Sequence, residues 1–151
     1  MLLLFTAIQT LLAMELYSAL SHRFLWHGPL WRFHKSHHVG LERTAGFVPN
    51  DLLSLAHAPI SMALIAASLL APAPMAQLSL GVGIGMAAFG ALYFVFHDGM
   101  VHGRLNVTPL LRFRLCRAWR EAHLAHHRRF RGPFGFFASP WLMRALPGSR
   151  E

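Results

Sequence analysis

The stretch from His22 to His38, HRFLWHGPLWRFHKSHH, places five histidines within seventeen residues, directly after an apolar segment. Its spacing has two parts, an H-x4-H pair followed by an H-x2-H-H triplet. Both parts return later in the chain, the pair as HDGMVH from His97 to His102 and the triplet as HLAHH ending at His127. Ten of the eleven histidines therefore belong to two ordered copies of one pattern.

The spacing of the histidines suits metal binding on a helix. Positions i, i+3 and i+4 share one helical face, whereas the adjacent pair in each triplet is splayed by about 100°. Each triplet can therefore serve two neighbouring metals, with one ring of the pair reaching each. A regular helix would hold the two rings of an H-x4-H pair about 140° apart. We therefore expect the helix to end or distort at Gly28 and Pro29 and again at Gly103.

The residue types narrow the kind of metal site. Neutral imidazole binds iron, copper, nickel and zinc, whereas thiolate clusters need more cysteine than the single Cys116. A structural zinc site takes four ligands, so two metals with about five histidines each fit the count better. One histidine alone would more often be a hydrogen-bonded core residue, and we interpret His57, outside both copies, in that way, with ligation as the alternative. The predicted ligands are His22, His27, His34, His37, His38, His97, His102, His123, His126 and His127.

Four polar side chains are candidates for supporting the ligands from behind. Glu15 is the one charge in the first apolar segment, and because a carboxylate at membrane depth usually faces the bundle interior, we expect it to support the site or to bond a neighbouring helix. Asn50 and Asp51 precede the second apolar segment, where a helix N-cap is the alternative. Asp98 lies beside His97 and is a candidate for orienting an imidazole, with surface solvation as the alternative.

The composition predicts a membrane protein. With 54% hydrophobic and 13% charged residues in 151, the chain differs from soluble globular domains. Residues 1–21, 52–71 and 76–96 are each apolar enough for a bilayer span, which needs about 20 helical residues. The first lacks the basic start of a signal peptide, so we interpret it as a retained helix. Pro59 should kink the second.

Four glycines mark the third span. Gly81, Gly83, Gly85 and Gly90 favour close helix packing. Room for a flat apolar substrate is an alternative use, and the two uses are compatible.

The basic residues predict the orientation of the spans. Three spans place both long polar segments on one side, and all fourteen lysines and arginines fall there, four from Arg23 to Arg43 and ten from Arg104 onward. By the positive-inside rule this side is the cytoplasm, so the ten motif histidines gather at one cytoplasmic membrane face. The net charge of +8 raises nucleic acid as a partner, but no nucleic-acid-binding module accompanies it.

The last third of the chain is basic and aromatic. Residues 109–127 are expected to form an amphipathic helix at the membrane interface, where the arginines from Arg112 to Arg120 would attract anionic lipids or an acidic electron carrier. The aromatic segment 132–141 is too short to span and is suited to dipping into the interface. The predicted fold is thus an all-α integral membrane protein with about three transmembrane helices and a helical cytoplasmic histidine cap; a fourth, re-entrant or interfacial C-terminal segment is left open.

Five stretches of the chain carry a family resemblance: MELYSALSHRFLWHGPLWRFHKSHH, NDLLSLAHA, YFVFHDGMVHGR, AHLAHHRRFRG and FGFFASP. They run from Glu15 to about Pro140 and resemble the bacterial nonheme di-iron β-carotene hydroxylases, within the wider fatty acid hydroxylase and desaturase superfamily of histidine-box membrane enzymes. The histidine boxes identify only the superfamily, whereas HDGMVH, NDL and FGF in this order are more specific. The resemblance implies one membrane-embedded oxygenase domain over residues 1–151.

The resemblance also implies an activity. It implies O2-dependent hydroxylation of β-carotene at ring carbons C3 and C3′, giving β-cryptoxanthin and then zeaxanthin, in the bacterial inner membrane. The implied cofactors are two iron ions, with electrons from ferredoxin and a NAD(P)H-dependent reductase. A carotenoid ketolase, or a lipid hydroxylase or desaturase of the same superfamily, remains an alternative. A nonenzymatic metal-binding membrane protein is another, although a transporter would need polar groups along a path through the bilayer.

Overall fold

The computed structural model describes residues 1–39 and 46–145. Over these ranges the chain is helical and contains no strand. Arg43 and Arg150, two members of the basic pattern, lie outside the described residues. The elements in chain order are α1 (Leu2–Ser21), a first π-helix (His22–Trp26), α2 (Trp31–Val39), α3 (Pro49–Leu55), α4 (His57–Ser68), α5 (Met75–Tyr93), a second π-helix (Phe94–Val101), a 3-10 helix (Thr108–Arg112), α6 (Arg114–Arg129) and α7 (Ser139–Ala145).

Three helical stretches are long and apolar enough to cross a membrane: Leu2–Trp26, Pro49–Ser68 and Met75–Val101. The predicted all-α fold with three spans is therefore confirmed. The first and third spans run past their predicted ends because each continues from an α-helix directly into a π-helix. Within the bundle α5 is central, since both α1 and α4 pack along it.

Glycines in α5 let the neighbouring helices approach closely. A Cβ atom at Gly81 would lie 2.9 Å from the Leu3 carbonyl oxygen of α1, and one at Gly83 would lie 3.0 Å from the Ser61 carbonyl oxygen of α4. Neither backbone could keep its position if a side chain were added. Gly90 differs from both, because a Cβ there would meet nothing within 4 Å. Close packing thus explains Gly81 and Gly83, whereas Gly90 lies beside open space.

The second span is broken at Ala56, between α3 and α4. Pro59 has no N–H to donate to the carbonyl of Leu55 four residues earlier, and its ring crowds that carbonyl. The predicted kink is therefore a short interruption that divides the span. At the start of α3 the N-cap is Val48, so neither Asn50 nor Asp51 is the N-cap itself. Asp51 nevertheless caps this terminus from the third helical position, because its Oδ2 accepts the Val48 N–H at 3.0 Å.

The C-terminal third folds back over the histidine-rich end of the bundle. The amphipathic helix begins at Arg114 instead of near Pro109, because residues 108–112 form a separate 3-10 turn and Phe113 is extended. Its buried face carries three histidines. The aromatic segment after it was expected at the membrane interface, but Phe136 is only 2% exposed and packs in a core with Met100 and Cys116.

Candidate metal centre

The ten motif histidines converge in two adjacent clusters at one end of the bundle. In each cluster the potential ligand atoms lie within 4.8 Å of one another. His127 extends the second cluster, since its Nε2 is 2.8 Å from Nε2 of His123 and 3.1 Å from Nε2 of His37. The first cluster contains His22, His27, His34, His38 and His126, and the second contains His37, His97, His102, His123 and His127.

The triplets divide between the clusters as their helical geometry predicts. On α2, His34 and His38 face the first cluster while His37 faces the second. On α6, His126 faces the first cluster and its sequence neighbour His127 faces the second. The splay of about 100° between adjacent side chains on a helix produces this division. Two helices thereby contribute to both clusters and hold them at a set separation.

Two π-helices bring together the rings of the H-x4-H pairs. The His27 N–H donates to the His22 carbonyl at 3.0 Å, and the His102 N–H donates to the His97 carbonyl at 3.2 Å. These bonds join residues five apart, the π-helical pattern, and so place both members of each pair on one face. The ring centroids are 4.9 Å and 4.8 Å apart. The sequence predicted a distortion after each pair but did not predict a π-helix within it. The repeated spacing of five residues between the two histidines was the signal that could have indicated one.

The ring nitrogens behind the first cluster fix where its lone pairs point. His22 Nδ1–H donates to the Phe134 carbonyl, and His126 Nδ1–H donates to the Arg131 carbonyl, both at 2.8 Å. Because a carbonyl only accepts, each neutral ring carries its hydrogen on Nδ1 and a bare lone pair on Nε2. The two Nε2 atoms are 3.1 Å apart. Two lone pairs cannot bond to each other, so this arrangement fits a cation held between them.

Side-chain acceptors likewise fix the hydrogen on Nδ1 of one ring in each cluster. His34 Nδ1–H donates to Asn50 Oδ1 at 2.7 Å, and its Nε2 lies 2.9 Å from Nε2 of His22. In the second cluster His97 Nδ1–H donates to Asp98 Oδ1 at 2.6 Å. The structure thus places Asn50 and Asp98 behind predicted ligands, in the position that sets ring orientation in metal sites.

Asp51 is linked to the second cluster through Arg104. Its carboxylate accepts two bonds from Arg104, at 2.6 Å and 2.8 Å. The same guanidinium lies 3.8 Å from Asp98, so it links α3 to the carboxylate that holds His97. Sequence reasoning counted Arg104 only as part of the basic pattern. The hydrogen bonds from Asp51 raise the pKa of Arg104 above its ordinary value.

Glu15 supports the first cluster through the C-terminal loop, which joins α6 to α7. Its Oε1 accepts the backbone N–H groups of Phe136 at 2.8 Å and Ala138 at 2.9 Å. That loop carries the Phe134 carbonyl that bonds His22. Of the two roles expected from the sequence, supporting the site or bonding a neighbouring helix, this geometry agrees with the first, because Glu15 binds a loop. A Cβ at Gly135 would lie 2.7 Å from Oε1, so the loop approaches Glu15 as closely as it does because residue 135 has no side chain.

His57 lies outside both clusters. Its Nε2 is 2.9 Å from the hydroxyl oxygen of Tyr17, and the two rings meet edge to face. This geometry agrees with the interpretation of His57 as a hydrogen-bonded histidine. The main-chain carbonyls of Phe134 and Arg131 were not identified from the sequence, because every residue carries a carbonyl and the residue type gives no signal.

Burial keeps the histidine rings of α2 and α6 neutral. Desolvation, with repulsion from neighbouring histidines, lowers the pKa of His38 to about 2 and that of His127 to about 3. Desolvation also lowers the pKa of His34 to about 3 and that of His126 to about 4. Since a metal binds only the unprotonated ring, these histidines are in the ligating form at neutral pH.

Several known proteins are similar to this chain. The model for the fatty acid hydroxylase family matches residues 7–143. The chain is 35% identical over 147 residues to a β-carotene hydroxylase of Pantoea ananas, covering 94% of this chain and 80% of that protein. It is 34% identical over 140 residues to the chloroplastic β-carotene 3-hydroxylase 2 of Arabidopsis thaliana, covering 91% of this chain and 46% of that protein.

A third relative is the chloroplastic β-carotene 3-hydroxylase of Haematococcus lacustris, 33% identical over 144 residues, with 93% of this chain and 44% of that protein covered. The chain thus spans less than half the length of the plant and algal relatives named here. No solved structure matches the chain.

Proposed function

The chain belongs to the fatty acid hydroxylase family, and we propose that it hydroxylates carotenoid rings. The reaction is O2-dependent hydroxylation of β-carotene at C3 and C3′, giving β-cryptoxanthin and then zeaxanthin. One observation carries the proposal: ten histidines form two clusters of five beside an apolar bundle. The chain that holds them is similar over nearly its whole length to a protein named β-carotene hydroxylase.

The clusters are proposed to hold two iron ions, one in each. Imidazole nitrogen suits iron, and the bare Nε2 lone pairs described above suit any cation of this class. When bound, iron supplies the redox chemistry that uses O2, two electrons and two protons to insert one oxygen atom into a C–H bond and release the other as water. The ten ligands are proposed to be the histidines already assigned to the two clusters.

The protein's own residues position and protect the site. Asn50 and Asp98 hold His34 and His97 by their Nδ1–H groups, which keeps each Nε2 aimed inward. Burial excludes water from His97 and His126, both fully buried. A dry site shields reactive oxygen chemistry from side reactions with solvent. No acid or base beyond the metal ligands is assigned.

The cellular setting follows from charge and hydropathy. We propose that the chain lies in the bacterial inner membrane, with the clusters at the cytoplasmic face, because the basic residues concentrate on the side of the histidines. Electrons are proposed to come from ferredoxin and a NAD(P)H-dependent reductase, which are cytoplasmic donors. Residues 1–151 are proposed to act as one oxygenase domain, since α5 packs against both other spans.

Pigment analysis tests the proposal. Cells that make β-carotene and express this chain should accumulate β-cryptoxanthin and zeaxanthin, identified by chromatography with mass analysis. The His37→Ala variant should lose these products because it removes a ligand from the second cluster. Lys35→Ala is the matched control, since Lys35 is an exposed residue of the same helix, and it should retain them.

Other products would redirect the assignment. Ketocarotenoids would indicate a ketolase, and hydroxylated or desaturated lipids with unchanged β-carotene would indicate a lipid oxygenase. A chain that binds metal but yields no oxygenated product, in cells with iron and reductant verified, would support the nonenzymatic alternative. Full activity in His37→Ala would contradict the ligand assignment.

A further inference from the structure

An apolar cavity of about 540 Å³ lies next to the histidine clusters, between α1, α3, α4 and α5. Its volume falls in the usual range for small-molecule sites, roughly 300–1,000 Å³. Most of its lining is apolar, and three methionines, Met14, Met62 and Met86, lie along it. Three residues that support the metal ligands, Asp51, Asp98 and Arg104, also line it, but most of the lining has no role in the metal site.

The inner end of the cavity reaches both clusters. Tyr93 lines it and stacks on the ring of His97 with centroids 4.2 Å apart. Trp26 also lines it, and its ring lies 5.4 Å from those of His22 and His34. Only one layer of side chains would therefore separate a molecule that filled the cavity from the proposed metal site.

Part of the cavity wall consists of small residues. Ala87, Gly90 and Ala91 lie on the same side of α5 and line the cavity together. A Cβ atom at Gly90 would meet no other atom within 4 Å, in contrast to the tightly packed glycines earlier in the helix. Aromatic rings of Phe89 and Phe94 flank this surface. A wall of small residues between aromatic rings leaves room for a rigid, bulky ring, which a thin and flexible acyl chain would not fill.

The cavity has an exposed edge between α1 and α4. Both helices pack on α5 and make few contacts with each other. Across the gap Tyr17 of α1 hydrogen bonds to His57 of α4 at 2.9 Å, and both side chains line the cavity. Tyr17 is 45% exposed, and both residues belong to spans, so this edge faces the bilayer. The hydrogen bond lets the two polar groups satisfy each other beside an apolar ligand.

We propose that this cavity is the carotenoid site, and that one end ring enters it sideways from the bilayer between α1 and α4. The ring passes the Tyr17–His57 pair, lies against α5 at Gly90, and stops at Tyr93 and Trp26. The Tyr17–His57 hydrogen bond closes the mouth behind it. The inference rests on the proposed function and adds the binding residues and the route of access.

Binding can be measured apart from turnover. The full chain is loaded with Zn²⁺, which binds imidazole without redox chemistry, and placed in nanodiscs with β-carotene. β-Carotene is achiral, so circular dichroism induced in its polyene band reports pigment held by the protein and not pigment free in lipid. A Cβ at Gly90 would meet nothing within 4 Å, so Gly90→Phe can place its ring in the cavity and should weaken binding by about tenfold or more. Leu92→Phe, on the same helix and outside the cavity lining, should bind like the parent chain.

The outcomes separate this inference from the proposed function. Zinc content and far-ultraviolet circular dichroism are measured in every variant to establish that each is folded. Undiminished binding by a folded Gly90→Phe chain, in a protein that hydroxylates β-carotene in cells, would overturn the cavity assignment and leave the function intact. Loss of binding in Gly90→Phe but not Leu92→Phe would support the site even if the cells yielded ketocarotenoids. Fatty acid or phospholipid retained in the cavity in place of carotenoid would overturn the assignment.

The mouth is tested by the rate of pigment exchange. Tyr17→Phe keeps the ring and removes the hydrogen bond to His57. If that bond closes the mouth, transfer of β-carotene from zinc-loaded chain to pigment-free vesicles should be roughly two- to tenfold faster, as one hydrogen bond allows. An unchanged transfer rate would contradict entry between α1 and α4.

Discussion

At the scale of single residues, the site depends on which nitrogen of each imidazole carries the hydrogen. Acceptors behind the rings make that choice: an amide for His34, a carboxylate for His97 and main-chain carbonyls for His22 and His126. Two of these acceptors, Asn50 and Asp98, were among the candidates identified from the sequence. The ligand roles of the histidines themselves stay a prediction that metal binding must test.

Asn50→Ala should weaken metal binding in the first cluster. Loss of the acceptor frees the His34 ring to turn, and loss of such a partner typically costs about 10- to 100-fold in metal affinity. Metal content after equilibration with a competing chelator measures the effect. Asn50→Asp keeps an oxygen in place and should restore most of the affinity. If Asn50→Ala bound metal like the parent chain, orientation of His34 by Asn50 would be excluded.

Acidification should destabilise the metal-free chain. The folded state holds His34 and His127 at a pKa of about 3 and His126 at about 4, whereas the unfolded state protonates near 6.5. Between these values the unfolded chain binds more protons, so stability is highest above pH 6.5 and falls as the pH drops, by up to about 1.4 kcal/mol per pH unit for each histidine.

Thermal unfolding in detergent at pH 7.5 and pH 5.0 measures this dependence. The midpoint should be lower at pH 5.0, and bound Zn²⁺ should raise it at both pH values, because the folded rings remain unprotonated at pH 5.0. Equal midpoints at the two pH values would show that the rings are not held neutral by the fold.

At the scale of elements, the two π-helices and the C-terminal loop convert a chain pattern into a site. Each π-helix ends a span and turns two histidines five apart onto one face. The loop after α6 supplies the carbonyl for His22 and is held by Glu15. Arg117 has a local role as well, since it donates to the carbonyls of Leu111 and Arg112 at the end of the 3-10 helix.

Gly135→Ala should loosen the loop that supports His22. The added methyl would lie 2.7 Å from Glu15 Oε1, so the loop or the carboxylate must move, at a cost of about 1–3 kcal/mol. A lower unfolding midpoint and reduced metal content are the expected results. Gly132→Ala is the control in the same loop, because its Cβ would have ordinary contacts of 3.5 Å with Phe134. Equal effects of the two changes would remove the special role of the Glu15 contact.

At the scale of the whole molecule, three spans should put the α4–α5 turn and the histidine clusters on opposite sides of the membrane. Cysteines introduced as Ala73→Cys in that turn and Lys35→Cys on α2 test this with a membrane-impermeant maleimide. Ala73→Cys should react in intact spheroplasts, and Lys35→Cys only after lysis. Native Cys116 should react slowly in both cases, because burial raises the pKa of its thiol. The reverse labelling pattern would place the clusters outside the cytoplasm.

The sequence by itself determined the helical class, the three spans and the pairing of histidines by spacing. Those features depend on local quantities, namely apolar length, helical periodicity and the geometry of residues three, four and five apart. Even the break near Pro59 follows from one residue and the carbonyl four positions before it.

Only the tertiary structure decided which acceptors orient the rings, how the aromatic segment packs and where the cavity lies. Glu15 meets Phe136 across 121 positions of the chain, and His22 meets Phe134 across 112. The groups that meet there include main-chain N–H and C=O groups, which all residues but proline share in full, so the residue pattern cannot identify them. The cavity likewise depends on how far α1 and α4 stand apart on α5, a distance that packing sets and local sequence does not.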